Sequence, residues 1–267
     1  MELVYTLPGA ATLFEWLLAA VLYAASWRWP RRSLLGRLGD SLAVAGMVTA
    51  LADVAWRAWI AAPALAFARS SLVTGLAVAT LAVYAALAAH RTERLSAFLL
   101  LALVIPAQAY AIGRLWWGAE AIPQDVFGPL WLIPGVLAGL VGAGALGVGA
   151  ATMGLAAASE KAPDRLSALQ AAELPALQAA ELSVLGEVAV HLALVNLSVS
   201  LALVLVRSWW GLGQVVSGGL VWSAVAWLLL AAGAYGLTQQ GISRRLCLAL
   251  LVPAFAAASS GLLTMVN

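Results

Sequence analysis

Glu187 and His191 stand one helical turn apart in a mainly apolar stretch that runs from Leu182 to Val206. A carboxylate and an imidazole four residues apart share one face of a helix. Such a pair can hold a proton, hydrogen-bond a quinone, or set the imidazole on a haem iron with the carboxylate behind it. It can equally join Asn196 in an interhelical hydrogen-bond cluster that only fixes packing. Asp53 and Arg57 repeat the same spacing with opposite charges. They are expected to form a structural ion pair, because neither charge is stable alone in apolar surroundings. Glu15 lies midway along an apolar run with no partner nearby in the sequence, which leaves Asp53 or Arg57 as candidates across the bundle. His90 opens His-Arg-Thr-Glu-Arg and reads as a solvated loop residue. Cys247 is the only cysteine, so it forms no intrachain disulfide and reads as a small core filler. There is no P-loop, no cysteine pair for redox or cluster chemistry, and no histidine pair on one helix for a b-type haem.

The elements that must position these residues follow from composition. Hydrophobic residues make up 64% of the 267, charged residues 10%, and the mean hydropathy is +0.97. That balance excludes a soluble domain. Apolar runs near twenty residues suit membrane-spanning helices and not barrel strands. The chain therefore reads as all-α, one polytopic integral membrane domain over 1–267. About eight spans are expected, near 5–27, 38–58, 71–89, 95–112, 129–155, 184–206, 218–237 and 246–266. The first is longer than a signal-peptide core and is read as retained. The longest interruption, 156–183, is too short to fold alone. It carries Ala-Leu-Gln-Ala-Ala-Glu-Leu at 168–174 and again at 176–182. Pro175 separates the copies, so one or two short surface helices are expected there, as a linker or a docking segment.

Charge gives a direction. Ten of the fourteen basic residues, from Arg28, Arg31, Arg32 and Arg37 to Arg244 and Arg245, fall in or beside the loops after the first, third, fifth and seventh spans. The positive-inside rule then places those loops in the cytoplasm, both termini outside, and the segment 207–217 outside, in a cell inner (cytoplasmic) membrane. The net charge of +2 forms no basic cluster, so no nucleic-acid partner is expected. The lipid bilayer and other membrane subunits are. Gly135, Gly139, Gly142, Gly144, Gly147 and Gly149 would let the fifth span approach its neighbours closely.

Tryptophans gather on the expected outer side: Trp56, Trp59, Trp116, Trp117, Trp131, Trp209, Trp210 and Trp222. Interfacial anchoring explains such positions, and a planar apolar platform is the alternative. Within Arg207–Tyr235, Trp210 and Gly211, then Trp222, then Trp227 keep a particular spacing. It resembles the tryptophan-rich loop of the CcsA/ResC/CcmF-type cytochrome c assembly family, roughly A-W-G-x-Y-W-x-W-D-P-K-E-x-W followed by x-x-x-x-W and a histidine. Here Gln214 and Val216 replace the central tryptophans, Ser217 to Leu220 replace D-P-K-E, and Tyr235 occupies the histidine position. Weaker likenesses lie at Pro63, Ser71 and Leu72, at Trp131-Leu-Ile-Pro134, and at the end, Leu262 to Asn267. The resemblance implies a haem-handling protein whose tryptophan loop cradles haem, with a c-type cytochrome or haem-pathway partner. The family's ligand histidines are missing, so it implies a HemX-like member without lyase chemistry of its own. A cofactor site would rest on Trp210, Gly211, Trp222, Trp227, Glu187 and His191, with His191 the one candidate metal ligand. The alternatives are a non-catalytic scaffold subunit of a respiratory or photosynthetic complex, or a quinone-interacting anchor of an oxidoreductase.

Overall fold

A computed structural model describes residues 2–29, 33–60, 68–88, 94–116, 132–161, 176–209, 217–238 and 244–264. Among them the protein is all-helical. The elements are α1 (Glu2–Arg28), α2 (Ser33–Ile60), α3 (Arg69–Ala88), α4 (Arg94–Trp116), α5 (Leu132–Lys161), α6 (Ala176–Trp209), α7 (Ser217–Thr238) and α8 (Arg244–Thr264). Seven of the eight are long and apolar enough to cross a membrane. The apolar part of α4, Leu100–Trp116, is shorter. The whole helix is nonetheless 23 residues, about 34 Å at the usual rise, and it fills its place between α1 and α3.

The interruption expected at 156–183 is narrower than the composition suggests, because helices enter it from both sides. α5 continues to Lys161, and α6 begins at Ala176. The second copy of the seven-residue repeat is thus the first two turns of a 34-residue helix. Its alanines, leucines and glutamate are all good helix formers, and no proline separates it from the adjoining span. The first copy lies outside the described residues.

α1 packs on α2 and α4, and α3 packs on α2 and α4; α5 packs on α6 and α8, and α7 packs on α6 and α8. The two sets of four meet mainly where α3 lies on α5, the two most buried spans. Gly144 makes that contact close. A Cβ there would sit 2.8 Å from the Thr80 backbone nitrogen and 2.9 Å from the Ala79 carbonyl carbon. With no hydrophobic driving force between helices in a membrane, small residues that bring backbones together favour close packing. The core contains Leu100, Leu146, Met153, Leu230 and Leu251, together with Trp16, whose indole nitrogen donates to the Ala43 carbonyl at 3.3 Å.

Candidate functional site

Two groupings of polar side chains lie inside the spans, and they differ in kind. The first sits where α1 to α4 converge. Asp53 and Arg57 occupy successive turns of α2 and form an ion pair, with Arg57 Nε donating to Asp53 Oδ1 at 3.1 Å. The same guanidinium reaches Ser70 Oγ on α3 at 3.4 Å. One turn along α3, Thr74 donates to Gln108 Oε1 on α4 at 3.0 Å, and Gln108 Nε2 donates to the Gly9 carbonyl of α1 at 3.4 Å. All five side chains are buried. Gly9 packs beside them: a Cβ on it would lie 3.4 Å from Asp53 Oδ2 and 3.6 Å from Gln108 Nε2. The arrangement answers the cost of polar groups in an apolar interior by pairing them across helices.

The Asp53–Arg57 spacing was readable in the sequence, whereas Ser70, Thr74 and Gln108 were not singled out. Their signal was there: Gln108 is a lone amide in an apolar span, and such a group needs a partner from another helix. Glu15 is not joined to this network by any hydrogen bond among the described residues. It is half-buried, and its Oε2 is buried without a hydrogen-bond partner.

The second grouping is on α6. His191 Nδ1 lies 2.7 Å from the backbone oxygen of Glu187, and the Glu187 carboxylate takes the Ser183 hydroxyl at 3.4 Å. Asn196 donates to the Leu192 carbonyl at 2.9 Å. The interhelical cluster weighed for these residues is therefore corrected: all three bond within their own helix. Four-residue spacing sets the His191 and Asn196 side chains over a carbonyl one turn back and the Glu187 carboxylate beside the Ser183 hydroxyl. His191 is exposed, on an outward ridge with Val184, Val188, Val195 and Val199. A carbonyl oxygen only accepts, so Nδ1 carries the proton of that bond, and in the neutral ring Nε2 is the acceptor. The residue lies about 15 Å along the helix from Glu181, where the span Glu181–Val206 begins. The imidazole is thus presented laterally, well inside a segment long and apolar enough to cross a membrane.

The tryptophans do not form one wall. Trp227 donates its indole N–H to Ser198 Oγ on α6 at 2.8 Å. Trp222, five residues earlier on α7, is 44% exposed. Five residues turn a helix by about 140° beyond a full circle, so the two rings face apart. Tyr235, at the position of the resembled family's histidine, is also exposed. Trp210 and Gly211 lie outside the described residues, as do His90 and most of 207–217. Among the described residues no group of three or more His, Cys, Asp or Glu could hold a metal. For haem, these residues offer one axial nitrogen on an open ridge and two tryptophans on different faces, which is a poor fit for a resident group.

No family model, curated protein or solved structure matches the chain.

Proposed function

We propose that this chain is a non-catalytic structural subunit of a membrane complex, built on a CcsA/HemX-like plan of the cytochrome c assembly kind. The tryptophan spacing from Trp210 to Trp227 supports the family plan. One observation carries the scaffold reading: His191 presents its ring from the exposed side of α6, with no hydrogen bond to Nε2 among the described residues. Polar groups within a membrane are costly unless something meets them. A neighbouring membrane subunit that donates a hydrogen bond meets this one. Asp53, Arg57, Ser70, Thr74 and Gln108, in contrast, bond to one another and to the Gly9 carbonyl, and fasten α1 to α4. Ten basic residues at one end support an inner-membrane orientation with both termini outside.

A second reading has its own observation. Nδ1–H held by a backbone carbonyl is also the arrangement that readies a histidine to bind iron through Nε2. The test for both is gentle extraction from the native membrane with pyridine haemochrome quantification of the purified protein. A constant set of co-purifying membrane subunits without haem supports the scaffold. Stoichiometric haem that disappears in His191→Ala replaces the scaffold with a haem carrier. A protein that purifies alone and without haem removes both.

A further inference from the structure

The two sets of four helices follow the same plan, and the plan is written in the sequence. α2 and α6 align without a gap: Ser33-Leu-Leu-Gly36 with Ser183-Val-Leu-Gly186, Leu42-Ala43 with Leu192-Ala193, Leu51-Ala-Asp-Val54 with Leu201-Ala-Leu-Val204, and Arg57-Ala-Trp59 with Arg207-Ser-Trp209. α1 and α5 share Pro8-Gly9 with Pro134-Gly135 and, in the same alignment, Ala24-Ala-Ser26 with Ala150-Ala-Thr152. α4 and α8 share Ala-Leu-x-x-Pro-Ala-x-Ala-x-Ala, at 102–111 and 249–258. α3 and α7 have diverged further and keep Leu72-Val73 with Leu220-Val221.

Packing repeats at the same positions. Gly9 lies against Asp53, and Gly135 against Leu203, the residue aligned with Asp53. In the first set, Trp16 fills the space beside Gly46; in the second, the aligned Gly142 receives Leu197, next to the residue aligned with Gly46. The knob has changed helices while the contact point has stayed. Tyr23 covers Gly39, and Gly149, aligned with Tyr23, lies against Val190, next to the residue aligned with Gly39. Even a local bond recurs: Ser26 donates to the Tyr23 carbonyl at 2.8 Å, and Thr152 to the Gly149 carbonyl at 3.2 Å. Each set also closes into the same ring, first helix on second and fourth, third on second and fourth. Shared apolar composition alone would not set one helix–helix contact at aligned residues and two more within one residue of them.

We infer that the chain is a tandem duplication of one four-helix membrane unit, its copies running the same way across the bilayer, and that the second copy carries a partner-facing imidazole, that of His191, absent from the first. Four spans per unit return the chain to its starting side, so the copies are parallel and not inverted. The copies differ in their polar residues. Arg37 and Ser41 align with Glu187 and His191, while Asp53 aligns with Leu203. The first copy holds the buried ion pair and the second the outward imidazole. That division of roles rests on the scaffold reading; the duplication does not.

Cysteine cross-linking in the full-length protein tests it, in a Cys247→Ser background. The pair Ala19→Cys and Ala43→Cys on α1 and α2 corresponds to Ala145→Cys and Ala193→Cys on α5 and α6, all four being small residues at aligned positions. Both pairs should form disulfides under a copper–phenanthroline oxidant, at rates within a few fold. Pairs shifted one turn, Ala19→Cys with Met47→Cys and Ala145→Cys with Leu197→Cys, should lag by tenfold or more. A silent Ala145/Ala193 pair beside an efficient shifted pair would overturn the duplication. Should the variants fail to reach the membrane, an experimental structure of the unaltered chain decides. Superposing 7–116 on 133–264 must match the helices in the order α1 to α5 through α4 to α8; a best match in another order sinks the idea. Glu187→Arg with His191→Ser restores first-copy residues and should release the co-purifying subunits. If the subunits stay while the cross-links behave as expected, the partner face is wrong and the duplication stands.

Discussion

Arg57 is a cation enclosed by α1 to α4, and what it touches sets the cost of losing either half of its pair. Removing one partner of a buried ion pair leaves the other charge uncompensated, at about 3–5 kcal/mol. Asp53→Leu is therefore expected to collapse folding yield, read as loss of the monodisperse peak in detergent and a large drop in melting temperature. The double variant Asp53→Leu with Arg57→Met should recover most of it, because two apolar residues replace a satisfied pair at similar volume. Equal damage from single and double variants would mean that the pair does more than fasten helices. Trp227 offers a second test. Trp227→Phe keeps the ring volume but loses the hydrogen bond to Ser198, a loss of roughly 0.5–1.5 kcal/mol. Trp222→Ala, on the exposed side, should change stability far less. A reversed order would mean that α7 turns its other face to α6.

Helix packing is governed by where side chains are missing. Gly144 allows α5 to meet the α3 backbone, so Gly144→Leu must push the two sets apart. A Cβ on Gly154, ten residues along the same helix, has nothing within 4 Å. Gly154→Ala is therefore expected to be neutral, or stabilising by up to ~1 kcal/mol through helix propensity, while Gly144→Leu abolishes the folded full-length protein. The yield of monodisperse protein in one detergent, with thermal melting of the Gly154→Ala variant beside the unaltered chain, makes the comparison. The same contrast between local and tertiary determinants separates the legible features from the hidden ones. The helices were legible because apolar length alone dictates them, and Asp53 with Arg57 because their spacing lies within one helix. The partners Ser70, Thr74 and Gln108 come from other helices, and only the tertiary arrangement brings them together. His191 was visible as a residue but not as an exposed one, since an apolar helix shows little in its sequence to separate an outward face from an inward one. Pro175 predicts a break that would set Ala176–Leu182 apart as a short surface helix, yet from Ala176 to Trp209 the chain is uninterrupted helix.

At the scale of the whole molecule, paired helices run antiparallel, so the chain's connections alternate between two ends. Trp16 beside Ala43 and Gly46, with Tyr23 beside Gly39, sets this for α1 and α2; Gly233 beside Leu251, with Gly261 beside Ser223, sets it for α7 and α8. The connections after α1, α3, α5 and α7 share one end, and the basic residues concentrate there. Translocating arginine across a bilayer is disfavoured enough that this bias orients polytopic proteins. Single cysteines in the Cys247→Ser background convert the bias into an outcome. Gly213→Cys, after α6, should react in intact cells with a membrane-impermeant maleimide. Ser167→Cys, after α5, should react only once the membrane is opened. Both depend on one charge asymmetry, so they must invert together if the orientation is wrong. Inversion would turn the Trp209–Trp210 end toward the cytoplasm, opposite to the side on which the resembled family keeps its tryptophan loop, and the family plan would lose its support. Labelling of both sites from outside would instead mean that α6 does not cross. That result would break the four-span count of the second unit and the parallel duplication with it.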